Sequence, residues 1–394
     1  MEVECPSRSV YQNVEFVSQR APGFDGLISY SQHMHPPAKP TICLNMIVKN
    51  EAHVIERCLA SVKPWIDQWV IVDTGSTDGT QQVIREFMKD RPGELHERPW
   101  VNFSHNRNEA LQLARERGEY LLFIDADEQL RMPEDFAWPA LEADGYFLTC
   151  HMAGTEYQRN ALIATRLPWR WEGVIHEFLT APNAQPWAQL PGPVIWVSHD
   201  GARARDPDTY LKDIALLEGA LRAEPDHTRY TFYLAQSYRD AGRFEQSLAQ
   251  YLRRASMGGW EEERWFAQFQ AAKMLERTEA AAPAVREAYL SAYAARPSRA
   301  EPLCELARYC REHQDFALGA MFALQAAGMP MPADILFVDA AVYRWRALDE
   351  LAVNAFYTPH KDAGRNALQR LLAAQQFPES ERVRIEGNQP FYGM

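Results

Sequence analysis

The chain has 394 residues, of which 46% are hydrophobic and 24% charged, and its formal net charge is -12 at pH 7. This length is sufficient for two domains, and the composition is that of an ordinary globular protein. The negative charge argues against a general nucleic-acid binder, which needs a basic surface to displace counterions from phosphates.

The two ends and the cysteines carry little signal. The N-terminal sequence lacks the basic start and apolar stretch of a signal peptide, and no apolar run approaches the ~20 residues that cross a bilayer. We therefore expect a cytoplasmic protein with no membrane span, and nothing in the composition excludes an oligomer. The six cysteines form no Cys-x-x-Cys pair, which favours reduced thiols in the core over zinc ligands or disulfides.

The first half of the chain predicts an α/β domain. Residues 1–38 show no period and are interpreted as an irregular N-terminal arm. Between residues 39 and 205 apolar runs alternate with helical patterns, and the runs at 41–48, 69–75 and 120–128 are typical of strands buried on both faces. Such alternation favours helices packed around a mostly parallel sheet.

The second half predicts an all-α domain. Residues 230–255 carry small and aromatic residues at the spacing of a tetratricopeptide helix pair, and weaker echoes follow at about the ~34-residue period of that repeat. We assign residues 206–376 to a short helical solenoid. Residues 377–394 are left as a C-terminal tail.

Two acidic segments follow two of the predicted strands. They run from Asp73 to Asp78 and from Asp125 to Asp127. Ligands of open α/β sheets bind beyond the carboxyl ends of the strands, where both segments would lie. Paired carboxylates there are hard oxygen ligands suited to Mg²⁺ or Mn²⁺. The alternative for an Asp-x-Asp pair alone is a helix cap or a solvated loop.

Three segments taken in order carry a family resemblance: NMIVKNEA at 45–52, VIVDTGSTDGT at 70–80 and LLFIDADE at 121–128. They resemble family 2 of the inverting glycosyltransferases, whose catalytic domain has the GT-A nucleotide-diphospho-sugar fold. The later segments HDGARARDPDTYLKD and FYLAQSYRDAG are similar to tetratricopeptide-linked members of that family, such as bacterial peptide glycosyltransferases of the sublancin type.

The resemblance implies a donor site for a UDP-sugar. Asp73 would contact uracil or ribose, and Asp125 would bind ribose or sugar hydroxyls. Arg107 would lie toward the phosphates or the sugar, with a surface ion pair on its helix as the alternative. The donor-binding residues implied by the resemblance are Ile47, Lys49, Asn50, Glu51, Asp73, Ser76, Asp78, Arg107, Asp125 and Ala126.

The resemblance also implies a metal site and a catalytic pair. Asp127 and His199 would bind Mn²⁺ or Mg²⁺, although a histidine after a buried strand is also a common core or cap residue. Glu177, with His176 beside it, would take the proton from the acceptor. Many relatives use the aspartate of a Glu-Asp pair at this point of the chain, and no such pair adjoins Glu177 here. A structural salt bridge is therefore the alternative for Glu177.

The sequence therefore predicts a metal-dependent inverting glycosyltransferase that moves a sugar from a UDP-sugar to a polypeptide or a glycan. Trp169 and Trp171 would either stack on a sugar ring or fill the core. Two other functions stay open. A nucleotidyltransferase shares the layered fold but normally has a glycine-rich loop after the first strand, which is absent here. An inert scaffold would use its repeats to bind a peptide.

Overall fold

The computed structural model describes residues 39–152, 155–334 and 336–394. The arm predicted for residues 1–38 lies outside them. The chain divides into two compact units, the first ending at Ala223 and the second beginning at Glu224. The domain boundary predicted at residues 205–206 stays a prediction.

The strands of the first unit are β1 (Ile42–Val48), β2 (Gln68–Asp73), β3 (Gly93–Glu97), β4 (Tyr120–Phe123), β5 (Glu128–Arg131), β6 (Gly145–Met152), β7 (Thr155–Ala164), β8 (Arg170–Glu172), β9 (Phe178–Thr180) and β10 (Ala188–Val197). Its helices are α1 (Ile55–Val62), α2 (Thr80–Phe87), α3 (Phe103–Ala114), α4 (Ala202–Arg205) and α5 (Thr209–Ala223), with a 3-10 turn at Lys63–Trp65.

Within the described residues, eight of these strands form one mixed sheet in the order β3-β2-β1-β4-β7-β6-β10-β5. The four strands β3, β2, β1 and β4 are parallel, whereas β7 is antiparallel to its neighbours β4 and β6. Strands β8 and β9 pair separately as a small hairpin. This architecture confirms the predicted α/β class and the GT-A expectation for the first unit.

Strand β1 lies at the centre of the parallel part and is covered on both faces. Leu44 and Met46 pack with residues of α1 and α2, while Cys43 belongs to a cluster with residues of α3. The Asn45 side chain donates a hydrogen bond of 2.9 Å to the Ala110 carbonyl of α3. Burial on both faces explains why six of the seven residues of β1 are apolar, with no alternation of polar and apolar positions.

The second unit is helical. It contains α6 (Thr228–Asp240), α7 (Phe244–Ser256), α8 (Glu261–Arg277), α9 (Ala282–Ala295), α10 (Glu301–Glu312), α11 (Phe316–Ala327), α12 (Ala347–Phe356), α13 (Lys361–Ala374) and α14 (Glu379–Glu386), with a π-helical turn at Val342–Arg346 before α12 and a 3-10 turn at Gln389–Tyr392. Successive helices pack on one another along the chain, as in a tetratricopeptide solenoid.

The segment 377–394, which the sequence leaves as a tail, is part of this packing. Phe377, Ile385 and Tyr392 are buried with residues of α12 and α13. The five described cysteines are buried and free, as expected from their spacing. In the described part of the chain, no helix combines the length and apolarity needed to cross a bilayer.

Candidate active site

The two acidic segments lie at the same edge of the sheet, on either side of β1. In the register of β1 with β2, Val48 is opposite Asp73, and in the register of β1 with β4, Asn45 is opposite Phe123. Asp125 follows Phe123 by two residues and therefore continues toward the level at which β1 ends. Parallel strand ends thus bring both segments to the carboxyl edge, as ligand sites of such sheets require.

Asp73 is fully buried, and among the described residues only one of its two carboxylate oxygens accepts hydrogen bonds. Its Oδ1 accepts hydrogen bonds from the amides of Gly75 (2.9 Å) and Ser76 (2.8 Å) and from Gln81 Nε2 (3.0 Å). Its Oδ2 is buried without a hydrogen-bond partner among the described residues. A buried polar atom in this condition calls for a ligand or a water molecule.

The loops that follow β1 and β2 are joined by side chains predicted to bind the donor. The Asn50 amide donates to Ser76 Oγ (2.7 Å), and Asn50 Oδ1 accepts from the Thr77 amide (2.8 Å). The Ala52 amide donates to Asp78 Oδ2 (3.0 Å). These three side chains therefore hold the two loops together, and their contact with a donor stays a prediction.

Three further predicted donor residues sit at the same edge with different exposure. Ile47 is half-buried near the end of β1, and Lys49 is exposed just beyond it. Ala126 is buried between the two aspartates of the second acidic segment. A cation at Lys49 is thus accessible from solvent at the edge where the carboxylates lie.

Arg107 on α3 bridges two carboxylates. Its Nη2 donates to Asp125 Oδ1 (2.9 Å) and its Nε to Glu177 Oε1 (2.5 Å), and its guanidinium lies 5.1 Å from the centre of the Trp171 ring. Burial alone would lower the pKa of Arg107, but the two carboxylates outweigh it and raise the pKa. The alternative of a surface ion pair is therefore wrong, because the side chain is only 12% exposed. Contact with the donor stays a prediction.

A second ion pair supports Asp125 and was missed by the sequence analysis. Arg159 on β7 binds Glu128 through two hydrogen bonds, of 2.6 and 2.5 Å, and both side chains are nearly buried. The Asp125 amide donates to Glu128 Oε2 (2.9 Å), and Arg159 Nη1 lies 3.8 Å from Asp125 Oδ2. Desolvation would raise the pKa of Asp125, but Arg107 and Arg159 outweigh it and lower the pKa.

Asp127, the predicted metal ligand, lies among like charges. Burial and the neighbouring carboxylates of Asp125 and Asp200 raise its pKa. Its Oδ2 accepts one long hydrogen bond, of 3.3 Å, from the Gly201 amide. Nε2 of His199, the second predicted ligand, contacts Met152 Sδ. The described residues contain no group of three or more side chains spaced to hold a metal, so both assignments stay predictions.

The loop after β10 is held beside Asp127 and Glu51 by contacts that no local sequence pattern predicts. Arg57 on α1 donates to both oxygens of Asp200, at 2.8 and 2.7 Å. The Ala202 amide donates to the Glu51 carboxylate at 3.1 and 3.2 Å. Residues far apart in sequence thereby fix the loop 199–202 beside Asp127 and Glu51.

Glu51 makes stability depend on pH. Burial raises its pKa to about 7, with contributions from Asp127, Asp125 and Asp78. The folded chain therefore keeps a proton that the unfolded chain has already released, and the free energy of unfolding falls as pH rises from about 4.5 to about 7. We expect the free energy of unfolding of Glu51→Gln, taken relative to that of the unaltered chain, to be higher at pH 8 than at pH 5. Urea unfolding at both values measures this, and an equal difference at both would contradict it.

Gly201 allows the close approach of this loop to Asp127. A Cβ atom at position 201 would lie 3.0 Å from both Cγ and Oδ2 of Asp127, whereas the backbone of Gly201 itself is in the ordinary extended region. We expect Gly201→Ala to displace the Asp127 carboxylate and weaken divalent-cation binding about tenfold, with little loss of stability. Manganese titration calorimetry measures this. Gly258→Ala, at a position with open space around it, is the control and should leave affinity unchanged.

The segment that carries Glu177 and His176 is docked on α3. The Asn108 side chain makes two hydrogen bonds of 2.8 Å with the Trp171 backbone, and the Phe103 amide donates to the Val174 carbonyl (3.3 Å). This docking places Glu177 against Arg107. The catalytic roles of Glu177 and His176 stay predictions.

Trp169 and Trp171 are core residues. Each is 7% exposed, and both pack in one cluster with Phe123 of β4. Trp171 meets Phe123 edge to face at a centroid distance of 5.1 Å. Of the two interpretations in the sequence analysis, filling the core is confirmed for both.

Left-handed backbone occurs at three of the predicted site residues. Asn50, His176 and His199 have φ of 58°, 52° and 55°. Non-glycine residues in this region cost of order 1–3 kcal/mol, and they persist where the surroundings over-determine them, often at functional sites. The strain at this edge agrees with a site of function there.

Comparison with known proteins gives the same picture. Residues 43–135 match the family model described as glycosyl transferase family 2. A TPR repeat-containing protein of Synechococcus elongatus is 37% identical over 27% of this chain and 24% of its own length. The glycosyltransferase SunS of Bacillus subtilis is 27% identical over 55% of this chain and 53% of its own length. Procollagen galactosyltransferase 2 of Mus musculus is 30% identical over 25% of this chain and 20% of its own length.

The matched part of this chain thus spans about a quarter of the length of the Synechococcus relative and about half of the length of SunS. The matched family region contains β1, β2 and β4 and both acidic segments, so the sequence similarity and the strand-edge geometry coincide. This protein carries a family 2 glycosyltransferase domain of the GT-A fold, followed by tetratricopeptide-like helical repeats.

Proposed function

We propose that the first unit transfers a sugar from a UDP-sugar to an acceptor with inversion at the anomeric carbon. The observation that carries this proposal is the position of Asp73, Asp125 and Asp127 at one edge of the sheet, on both sides of β1. The match of the same region to glycosyl transferase family 2 supports it.

The donor nucleotide would bind beside β1 and β2. Asp73 Oδ2, buried and without a hydrogen-bond partner in the described part of the chain, would accept from a uracil N–H or a ribose hydroxyl. Ile47 and Lys49 would lie along the base, at the half-buried and exposed positions that they occupy at the end of β1.

A divalent cation fits the donor set near Asp127. Burial raises the pKa of Glu51, and the carboxylates of Asp127 and Asp125 raise it further, so a cation among the three would relieve their repulsion. Mg²⁺ is usually bound by one or two carboxylates together with substrate phosphates and waters, and it needs no cage of three side chains. When bound, the ion would neutralise the departing diphosphate. Asp127 would hold it, and His199 would complete the site only by leaving Met152.

Glu177 would accept the proton of the acceptor. The acceptor atom attacks the anomeric carbon on the face opposite the diphosphate, the bond from that carbon to the diphosphate oxygen breaks, and the proton passes to the carboxylate. Arg107 holds Glu177 in place through its 2.5 Å contact and fixes its direction relative to Asp125. His176, next in the chain, would orient the acceptor.

The test is incubation of the full chain with UDP-glucose, UDP-galactose and UDP-N-acetylglucosamine in the presence of Mn²⁺. We expect calorimetric binding of at least one donor and slow release of UDP by hydrolysis. Release of pyrophosphate from a nucleoside triphosphate would instead support a nucleotidyltransferase. Absence of binding to every donor, with no effect of Asp127→Ala, would leave the inert scaffold.

Glu177→Gln tests the proton acceptor. We expect kcat to fall about 10²- to 10⁴-fold, as is usual when a general base is lost, while KM for the donor changes little. The matched control is Glu172→Gln in the same hairpin, whose carboxylate pairs with Arg170 and Thr180 instead. If kcat is retained and only the melting temperature falls, Glu177 is a structural ion-pair residue.

The acceptor is proposed only as a class of molecule. A polypeptide acceptor is favoured by the name of one relative, a procollagen galactosyltransferase, and a glycan is the alternative. A cytoplasmic location stays a prediction.

A further inference from the structure

The connection between α11 and α12 in the second unit is unusually long. It runs over residues 328–341 before the π-helical turn, whereas α6 and α7 are joined by residues 241–243 and α10 and α11 by residues 313–315. Helix–helix connections in compact helical domains usually have about 2–8 residues, and much longer ones are frequently functional.

This connection inserts an aromatic side chain between two helices. The Phe337 ring lies 4.5 Å from the ring centroid of Phe266 on α8 and 6.3 Å, nearly parallel, from that of Phe232 on α6. Helices α6 and α8 are the first members of two successive helix pairs. Stacked repeats create a concave surface, and repeat proteins use such surfaces for binding.

Charged side chains bind the backbone of the connection. Arg299, which is fully buried, donates to the carbonyls of Leu336 (3.2 Å) and Phe337 (3.0 Å). The Leu336 amide donates to Glu262 Oε2 (2.8 Å). Side chains from elsewhere in the unit therefore bind both backbone carbonyls and a backbone amide of this short stretch. The Leu336 side chain is buried.

A carboxylate three residues before the aromatic ring is held by two arginines. Asp334 accepts from Arg296 at 2.5 and 2.6 Å and from Arg299 at 3.1 Å. Charge-assisted, two-pronged contacts of this kind give geometric specificity as well as affinity. The pattern recognised is thus a carboxylate and an aromatic side chain at a spacing of three.

Phe337 adopts left-handed backbone, with φ of 48°. A bulky residue in this region is a genuine outlier that only its surroundings can maintain. The Phe232 and Phe266 rings and the Arg299 guanidinium, which contact Phe337, supply those surroundings.

We propose that the slot formed by Phe232, Phe266, Glu262, Arg296 and Arg299 is a peptide-binding site. Asp334, Leu336 and Phe337 of the connection occupy it in cis. The partner is a polypeptide segment that carries a carboxylate three residues before an aromatic side chain. This proposal does not depend on sugar transfer by the first unit.

Tethering explains how the slot is kept closed. A segment linked in the same chain acts at an effective concentration of the order of mM, so a peptide in trans at µM concentration competes poorly with it. Removing the two anchors of the connection, while leaving the slot unchanged, should therefore open the slot to a peptide.

The test uses the full chain with Asp334→Asn and Phe337→Ala combined, and a fluorescein-labelled peptide with the sequence of residues 330–341. By fluorescence anisotropy we expect the variant to bind this peptide at least tenfold more tightly than the unaltered chain. A peptide lacking the aspartate and the phenylalanine should lose at least tenfold. The control, Met331→Ala at an exposed position of the same connection, should behave as the unaltered chain.

A folded variant that binds the peptide no better than the unaltered chain overturns the proposal. If the double variant unfolds, amide hydrogen exchange on the unaltered chain decides. We expect the Leu336 amide to exchange at least tenfold faster than the amides of α8, because the connection opens locally. Equal protection would show that the connection belongs to the core and overturns the proposal.

Discussion

Asp127→Asn is expected to lower sugar transfer by about 10²-fold or more without destabilising the protein. The proposed cation at Asp127 would contribute several kcal/mol of charge stabilisation, and each 1.36 kcal/mol is tenfold in rate. Stability should be retained because burial and the carboxylates of Asp125 and Asp200 already raise the pKa of Asp127. A neutral side chain of the same shape therefore removes repulsion.

Two measurements check this expectation: UDP release with each donor, and thermal unfolding followed by circular dichroism. Asp135→Asn, at an exposed aspartate of the same region, is the matched control and should leave both unchanged. Full transfer by Asp127→Asn would remove the cation from the proposal. Loss of transfer together with a large drop in melting temperature would instead make Asp127 a structural residue.

Arg107→Met is expected to lower the free energy of unfolding by about 3 kcal/mol. Removing one partner of a buried ion pair costs about 3–5 kcal/mol, because the other charge stays buried without compensation. Glu177 would be left in that condition, since its side chain is 8% exposed, while Asp125 is 40% exposed and retains Arg159. The lower end of the range therefore applies.

Urea unfolding measures this effect on the unaltered chain, on Arg107→Met, on the double variant that also carries Glu177→Gln, and on Arg85→Met. Adding Glu177→Gln to Arg107→Met should recover part of the loss, because the uncompensated charge is then gone. Arg85→Met is the control. Its partner Glu97 forms an exposed pair, which is worth about 0–1 kcal/mol. A loss no greater than that of Arg85→Met would show that the Arg107 bridge contributes little to the fold.

The parallel strands were predictable because their sequence reports their burial. β1, β2 and β4 are mostly apolar, since helices cover both faces of the sheet. The edge strand β3, with sequence GELHE, has no buried residue and gave no such signal. β5 escaped notice because Glu128, its first residue, is buried by pairing with Arg159 on β7.

The site was predictable where topology alone determines position. Carboxylates after β2 and β4 come to the same edge of the sheet because parallel strands end there. The Arg57–Asp200 pair and the Arg107 bridge join residues far apart in sequence. Arginines and acidic residues that pair in three dimensions look like ordinary surface charges in one, so no local pattern could reveal them.

The cross-links between the loops after β1 and β2 have a consequence for recognition. Because Asn50, Ser76 and Asp78 already bind the opposite loop, the proposed nucleotide site would be formed before any nucleotide binds. Binding at this site would not have to order the two loops, so little conformational entropy of the backbone would be lost on association. Substitution of Asn50 would then weaken affinity mainly by faster dissociation from a loosened pocket, even where its side chain never touches the ligand.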